Sequence, residues 1–101
     1  MEKPAFQPVR SERRAAPRYY VSIPIEFHGH TGTTRDVSEL GVCFETDQWL
    51  PKGDTTSFQL VFHDFAGFQS SRIAGSGEVV RVEEHEGRFV VAVRVTSYAL
   101  P

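Results

Sequence analysis

Two short stretches hold most of the side chains that could recognise a ligand. Arg13-Arg14-Ala15-Ala16-Pro17-Arg18 places three guanidinium groups in six residues, and Asp36-Val37-Ser38-Glu39-Leu40-Gly41 follows about one strand's length later. Pro17 biases Ala16 toward extended backbone, so the first stretch reads as an extended basic arm. Fully extended, Arg14 and Arg18 stand up to ~13 Å apart at ~3.3 Å per residue, a span that suits a dinucleotide better than a single carboxylate. A guanidinium is a planar fork that bonds two acceptors at once, either phosphate oxygens or the O6/N7 edge of guanine. It also stacks flat on a purine. The second stretch is complementary. Asp36 accepts, Ser38 both donates and accepts, and Gly41 permits positive φ and close approach of a ligand to the backbone. Beside the arginines, a carboxylate accepting from N1–H and N2–H would select guanine over adenine, and Ser38 would add a bond to base or phosphate. Each stretch also has a plainer reading. The arginines read equally as a solvated basic segment, and Asp and Ser are common at turns because they bond nearby backbone N–H groups.

The elements that must position these residues are strands. Residues 1–12 are polar, with Pro4 and Pro8 and no apolar periodicity, and read as a flexible N-terminal arm. From Tyr19 to Phe27, Val21, Ile23, Ile25 and Phe27 alternate with polar residues as in a half-buried strand, with an edge or bulge expected at Pro24. After the turn His28-Gly29-His30-Thr31-Gly32, Thr33–Val37 returns, Ser38–Gly41 makes a tight connection, and Val42–Thr46 follows with Val42 and Phe44 inward. Asp47–Asp54 is a loop with room for a short turn of helix. The fourth strand carries Phe58, Leu60 and Phe62. A fifth, Arg72–Val82, is interrupted by Gly75-Ser76-Gly77, and a sixth runs from Arg88 to Val95. Six short strands with no long helix favour an all-β sandwich or barrel, and closing the sheet removes its exposed edges.

Composition narrows the function. In 101 residues, enough for one domain, Lys plus Arg is 11 against 13 for Asp plus Glu. A net charge of -2 provides no field for polymeric nucleic acid. The basic residues are instead local, with Arg10, Arg13, Arg14 and Arg18 together near the N-terminus and Glu83, Glu84 and Glu86 late, which favours a small anionic ligand. The single cysteine, Cys43, excludes an internal disulfide and agrees with a cytoplasmic protein. No signal peptide or apolar run long enough for membrane insertion is visible. His28, His30, His63, His85 and Cys43 lack the paired spacing of a metal site, so no metal is expected. No catalytic motif is present, and the chain reads as a sensor rather than an enzyme. Trp49 and Phe68 could face a partner, but an aromatic in a small barrel is more often core, and that is where both are expected.

The pair RxxxR and DxSxxG resembles the signature of the PilZ domain, a bacterial receptor module for cyclic di-GMP. Arg14 and Arg18 fill the arginine places, Arg13 is the frequent extra basic residue, and Asp36, Ser38 and Gly41 fill the second motif. The resemblance extends from about Arg13 to Thr96, departing from the family at Ala92, often Gly, and Val95, often Phe. It implies a six-stranded antiparallel β-barrel over residues 13–97, with a tail at 98–101 and little or no C-terminal helix. It also implies that Arg13, Arg14, Arg18, Asp36, Ser38 and Gly41 bind cyclic di-GMP, expected as a stacked dimer, with no further cofactor. Arg10 and Arg81 could extend that site. On this reading the arm orders over the barrel when ligand binds and signals to an output protein in trans, in control of motility, attachment or polysaccharide production. The alternatives are an interaction adaptor that ignores the nucleotide, which the retained arginines disfavour, and a small RNA-binding barrel, which the acidic balance disfavours.

Overall fold

The computed structural model describes residues 17–63 and 69–99, and these form strands and turns without a helix. The strands are β1 Pro24–Phe27, β2 His30–Val37, β3 Gly41–Thr46, β4 Thr55–His63, β5 Ser70–His85 and β6 Arg88–Ala99. Every pairing is antiparallel. The order β1-β2-β3-β6-β5-β4 closes into a barrel where Ile25 and Glu26 of β1 pair with Leu60 and Gln59 of β4. Closure satisfies edges that an open sheet would expose.

Period-two alternation fills the interior. Val42, Phe44 and Thr46 of β3 are buried, while Cys43 and Glu45 between them lie on the outer face. Val91, Val93 and Val95 of β6 meet them from one side, and Ile25, Phe27, Leu50, Phe58, Leu60 and Val79 complete the core. Each such side chain contributes about 1.5–3 kcal/mol when fully buried, which makes this cluster the main source of stability. The buried threonines are satisfied: the Thr46 hydroxyl donates to the Thr31 carbonyl at 2.9 Å. Thr34 donates to the Val21 carbonyl at 2.6 Å and accepts from the Ile23 N–H at 3.0 Å.

That threonine explains the first departure from the expected strands. Regular pairing of β1 begins only at Pro24, which has no N–H to give a ladder, and the preceding residues are held to β2 by the Thr34 hydroxyl together with the Thr34 N–H, which donates to the Ile23 carbonyl at 2.9 Å. Val21, expected inside, is consequently exposed. Farther back the chain touches β2 again: Tyr19 and Val37 exchange two backbone hydrogen bonds, at 2.8 and 2.9 Å. The Gly75-Ser76-Gly77 interruption is a register shift between Ser76 and Gly77 within one long strand, and a Cβ at Gly77 would overlap the Arg94 carbonyl. β6 continues past the expected tail boundary, because Tyr98 and Ala99 pair with Gly75 and Ala74. Residues 47–54 form a loop ending in a turn closed by the Asp54 N–H on the Pro51 carbonyl, and Trp49 is 57% exposed rather than in the core. Phe68 lies outside the described residues.

Two further register shifts matter for function. One falls between Thr34 and Asp36 on β2, the other between Val79 and Arg81 on β5. A β-bulge adds one residue to one strand and so re-aims the side chains beyond it.

Candidate functional site

Cys43 is the centre of the outer face. It pairs with Asp36 on β2 and with Ala92 on β6, and Ala92 pairs in turn with Arg81 on β5. The Tyr19–Val37 bridge sets Tyr20 beside Asp36 on the remaining side. The face therefore carries a row, Tyr20, Asp36, Cys43, Ala92 and Arg81, that is charged at both flanks and small in the middle. Neighbouring strands lie ~4.8 Å apart, so Asp36 and Arg81 stand ~14 Å apart across a floor of a thiol and a methyl group. Both charged residues reach this face through the bulges. In a strictly alternating β2, with Thr34 inward, Asp36 would also face inward. The extra residue Arg35 turns it out. On β5, Val80 does the same for Arg81.

A depression of about 810 Å³ takes in Tyr20, Asp36, Cys43 and Arg81 of this row, with Arg35 and Arg88 also at its border and Cys43 at its base. Its charges are mixed. Arg18 Nε lies 3.7 Å from Asp36 Oδ1, Arg35 Nε 3.5 Å from Glu45 Oε2, and Arg81 Nε 3.3 Å from Glu83 Oε2. The Cys43 thiol feels these charges. Burial pushes its pKa up, and the Asp36 carboxylate pushes it further, while the guanidinium groups of Arg81, Arg35 and Arg18 partly offset both. A second depression, about 600 Å³, surrounds the His28-Gly29-His30 turn and Gly75 and contains none of the motif residues.

The corner after Asp36 is tied down on all sides. Ser38 N–H donates to the Gly41 carbonyl at 2.8 Å, and the Ser38 hydroxyl accepts from the N–H groups of Leu40 and Gly41 at 3.2 and 3.1 Å. Val95 N–H donates to the Leu40 carbonyl at 2.8 Å. From the last strand, the Tyr98 hydroxyl donates to the Ser38 carbonyl at 2.9 Å. Burial raises the Tyr98 pKa, and its ring meets Phe58 edge-on with centroids 6.1 Å apart.

Of the residues singled out from sequence, the structure brings Arg18, Asp36, Ser38 and Gly41 to this corner, and it places Arg81 across the same face. Arg10, Arg13 and Arg14 lie outside the described residues. The Ser38 hydroxyl closes the turn, the local use that Ser has at corners. Gly41 is not in the left-handed region, contrary to the expectation of positive φ. Its missing side chain serves packing instead, since a Cβ there would lie 3.1 Å from the Val93 carbonyl oxygen. Sequence reasoning missed Tyr20, Arg35 and Tyr98. For Arg35 no sequence signal was present, because it becomes the extra residue only once Thr34 faces inward opposite Phe44 while Asp36 faces outward opposite Cys43.

Residues 8–99 match the family described as PilZ domain. The chain belongs to the PilZ domain family. No curated protein sequence matches it. The solved structure of Bacillus subtilis Inhibitor of motility (MotI/DgrA) resembles this PilZ domain with a TM-score of 0.72 at 12% identity. The likeness covers 87% of this chain and 44% of that one, so the PilZ domain spans less than half of that protein. At such identity the shared property is the fold, and the all-strand closed barrel agrees with it. Among the described residues no helix is long and apolar enough to cross a membrane, and no three His, Cys, Asp or Glu side chains group as a metal site.

Proposed function

We propose that this PilZ domain is a receptor for cyclic di-GMP, gripped between the leader arginines and the outer face bearing Asp36. The observation that carries the reading is the Arg18–Asp36 contact beside the Tyr19–Val37 bridge. The second arginine of RxxxR thus enters at the DxSxxG corner and not at the far end of the barrel. An ion pair of this exposure is worth about 0–1 kcal/mol. A phosphate or guanine can therefore exchange with it at little cost. Nε is one of five guanidinium donors, and the others remain for bidentate contact with the ligand. Asp36 would accept from the guanine Watson–Crick edge while Arg13 and Arg14, with Arg10 behind them, close from the leader side. Arg81 would bound the opposite flank. The small side chain of Cys43 at the base leaves room for stacked purines, and a depression of about 810 Å³ falls in the range of small-molecule sites, about 300–1,000 Å³.

Output would follow from the surface that the closed leader creates, read by a partner protein. Control of motility is the outcome we favour, in line with the name of the B. subtilis protein of the same fold. The test is isothermal titration of the full chain with cyclic di-GMP. We expect saturable binding that Arg18→Ala weakens severely while the melting temperature stays near wild type, because the lost pair is partly exposed. Asp36→Ala should narrow the preference over cyclic di-AMP. An absence of heat at high protein concentration would sink the receptor reading and leave a nucleotide-independent adaptor.

A further inference from the structure

Tyr20 is 75% exposed, the most exposed of the large apolar side chains among the described residues. An aromatic ring left in water is normally uninformative, but the backbone that carries this one is held. Its neighbour Tyr19 is fixed to Val37 by two backbone hydrogen bonds, and the carbonyl of Val21, on its other side, accepts from the buried Thr34 hydroxyl. The backbone of Tyr20 is therefore fastened to β2 on both sides. Because side chains alternate along an extended chain, the Tyr19 ring and the Tyr20 ring point to opposite faces. Tyr20 takes the face of Asp36 and lines the same depression as Asp36, Cys43 and Arg81.

We infer that Tyr20 is a stacking platform for one base of the bound nucleotide, set at the end of the row that Asp36, Cys43, Ala92 and Arg81 continue. This inference rests on the receptor reading above and adds a residue that neither signature motif contains. Asp36, next to Tyr20 in the row, meets the edge of a base, while the phenol ring offers a face for the same heterocycle. Edge and face recognition need different geometry, and adjacent positions on one sheet surface supply both. Stacking does not distinguish purines, because every base has a π-face. Tyr20 then sets affinity and Asp36 sets selectivity.

The experiment compares Tyr20→Ala and Tyr20→Phe with the wild-type full chain in calorimetric titrations against cyclic di-GMP and cyclic di-AMP, with melting curves alongside. A base on an aromatic ring contributes about 1–3 kcal/mol, which corresponds to about 5- to 150-fold in affinity. Tyr20→Ala should lose that much for both nucleotides in equal proportion, at unchanged melting temperature. Tyr20→Phe should bind as wild type, since it keeps the ring. As a direct readout, Tyr20→Trp combined with Trp49→Phe should show indole fluorescence quenched on titration with cyclic di-GMP. Wild-type affinity in Tyr20→Ala would overturn the inference while leaving the receptor reading intact, and so would Tyr20→Phe binding as weakly as Tyr20→Ala, which would assign the effect to the hydroxyl. Failure of the wild-type protein to bind either nucleotide would instead remove the receptor reading itself.

Discussion

Replacing Tyr98 with Phe removes one oxygen atom and one hydrogen bond, the one at 2.9 Å from the last strand to the Ser38 carbonyl. The ring and its edge-on contact with Phe58 remain, so the variant isolates the bond. An intramolecular hydrogen bond contributes about 0.5–1.5 kcal/mol net, and the partly buried carbonyl left behind keeps the loss near the middle of that range, about 1 kcal/mol. In a domain of this size that lowers the melting temperature by about 4–8 °C. The loss should be local as well as global. Ser38, Leu40 and Gly41 form the turn beyond Asp36, and their amide hydrogens should exchange faster in Tyr98→Phe than in the wild type, whereas those of Val91 and Val93 in the core should change only with global stability. Circular dichroism melts and amide exchange by NMR report the two effects separately. A melting temperature within about a degree of wild type, with unchanged exchange at Ser38 to Gly41, would refute the view that the last strand holds the corner.

Further outcomes follow from the same geometry. Gly41→Ala puts a methyl group 3.1 Å from the Val93 carbonyl oxygen and should cost about 1–2 kcal/mol by crowding rather than by backbone strain, seen as a lower midpoint in urea with an unchanged slope. Asp36→Asn removes a negative charge that raises the Cys43 pKa, so the thiol should react faster with iodoacetamide at fixed pH, and equal rates would place the carboxylate too far away to matter. Cys43 and Tyr98 both have pKa values raised in the fold, so each proton is held more tightly in the native state than in the unfolded chain. Their contribution is fully present below the unfolded values and is lost as pH rises through the folded ones. Melting temperatures should therefore be insensitive to these two groups near neutrality and fall above about pH 9, with the onset moved upward in Cys43→Ala.

Much of this protein was open to reading from residue types and spacing alone. Alternating apolar residues marked strands such as Val42–Thr46 and the one carrying Phe58, Leu60 and Phe62, because a half-buried strand must repeat every two residues whatever it packs against, whereas β2 was placed only by the turn before it. The spacing of Arg14, Arg18, Asp36, Ser38 and Gly41 carried the family resemblance, and Arg18 and Asp36 do meet. Strand limits were less legible. Pro24 hinted that the first strand would be irregular, yet the clasp before it combines the Thr34 hydroxyl with the Thr34 N–H on the Ile23 carbonyl. Trp49 was misplaced because burial of an aromatic in a loop depends on what the rest of the fold leaves uncovered.

What composition and periodicity settled was local: an all-β chain, a basic leader, a polar corner rich in acceptors and donors. What needed the closed barrel was the outer row from Tyr20 to Arg81, five residues drawn from the leader and four strands. The two bulges decide that row, since each shifts the face of a charged side chain by a single inserted residue. No local propensity distinguishes a strand with such an insertion from one without it. The Tyr98 bond to Ser38 likewise joins positions far apart in the chain, and only the register of β6 beside β3 and β5 brings them within reach. Pairing energies summed over whole strands select that register.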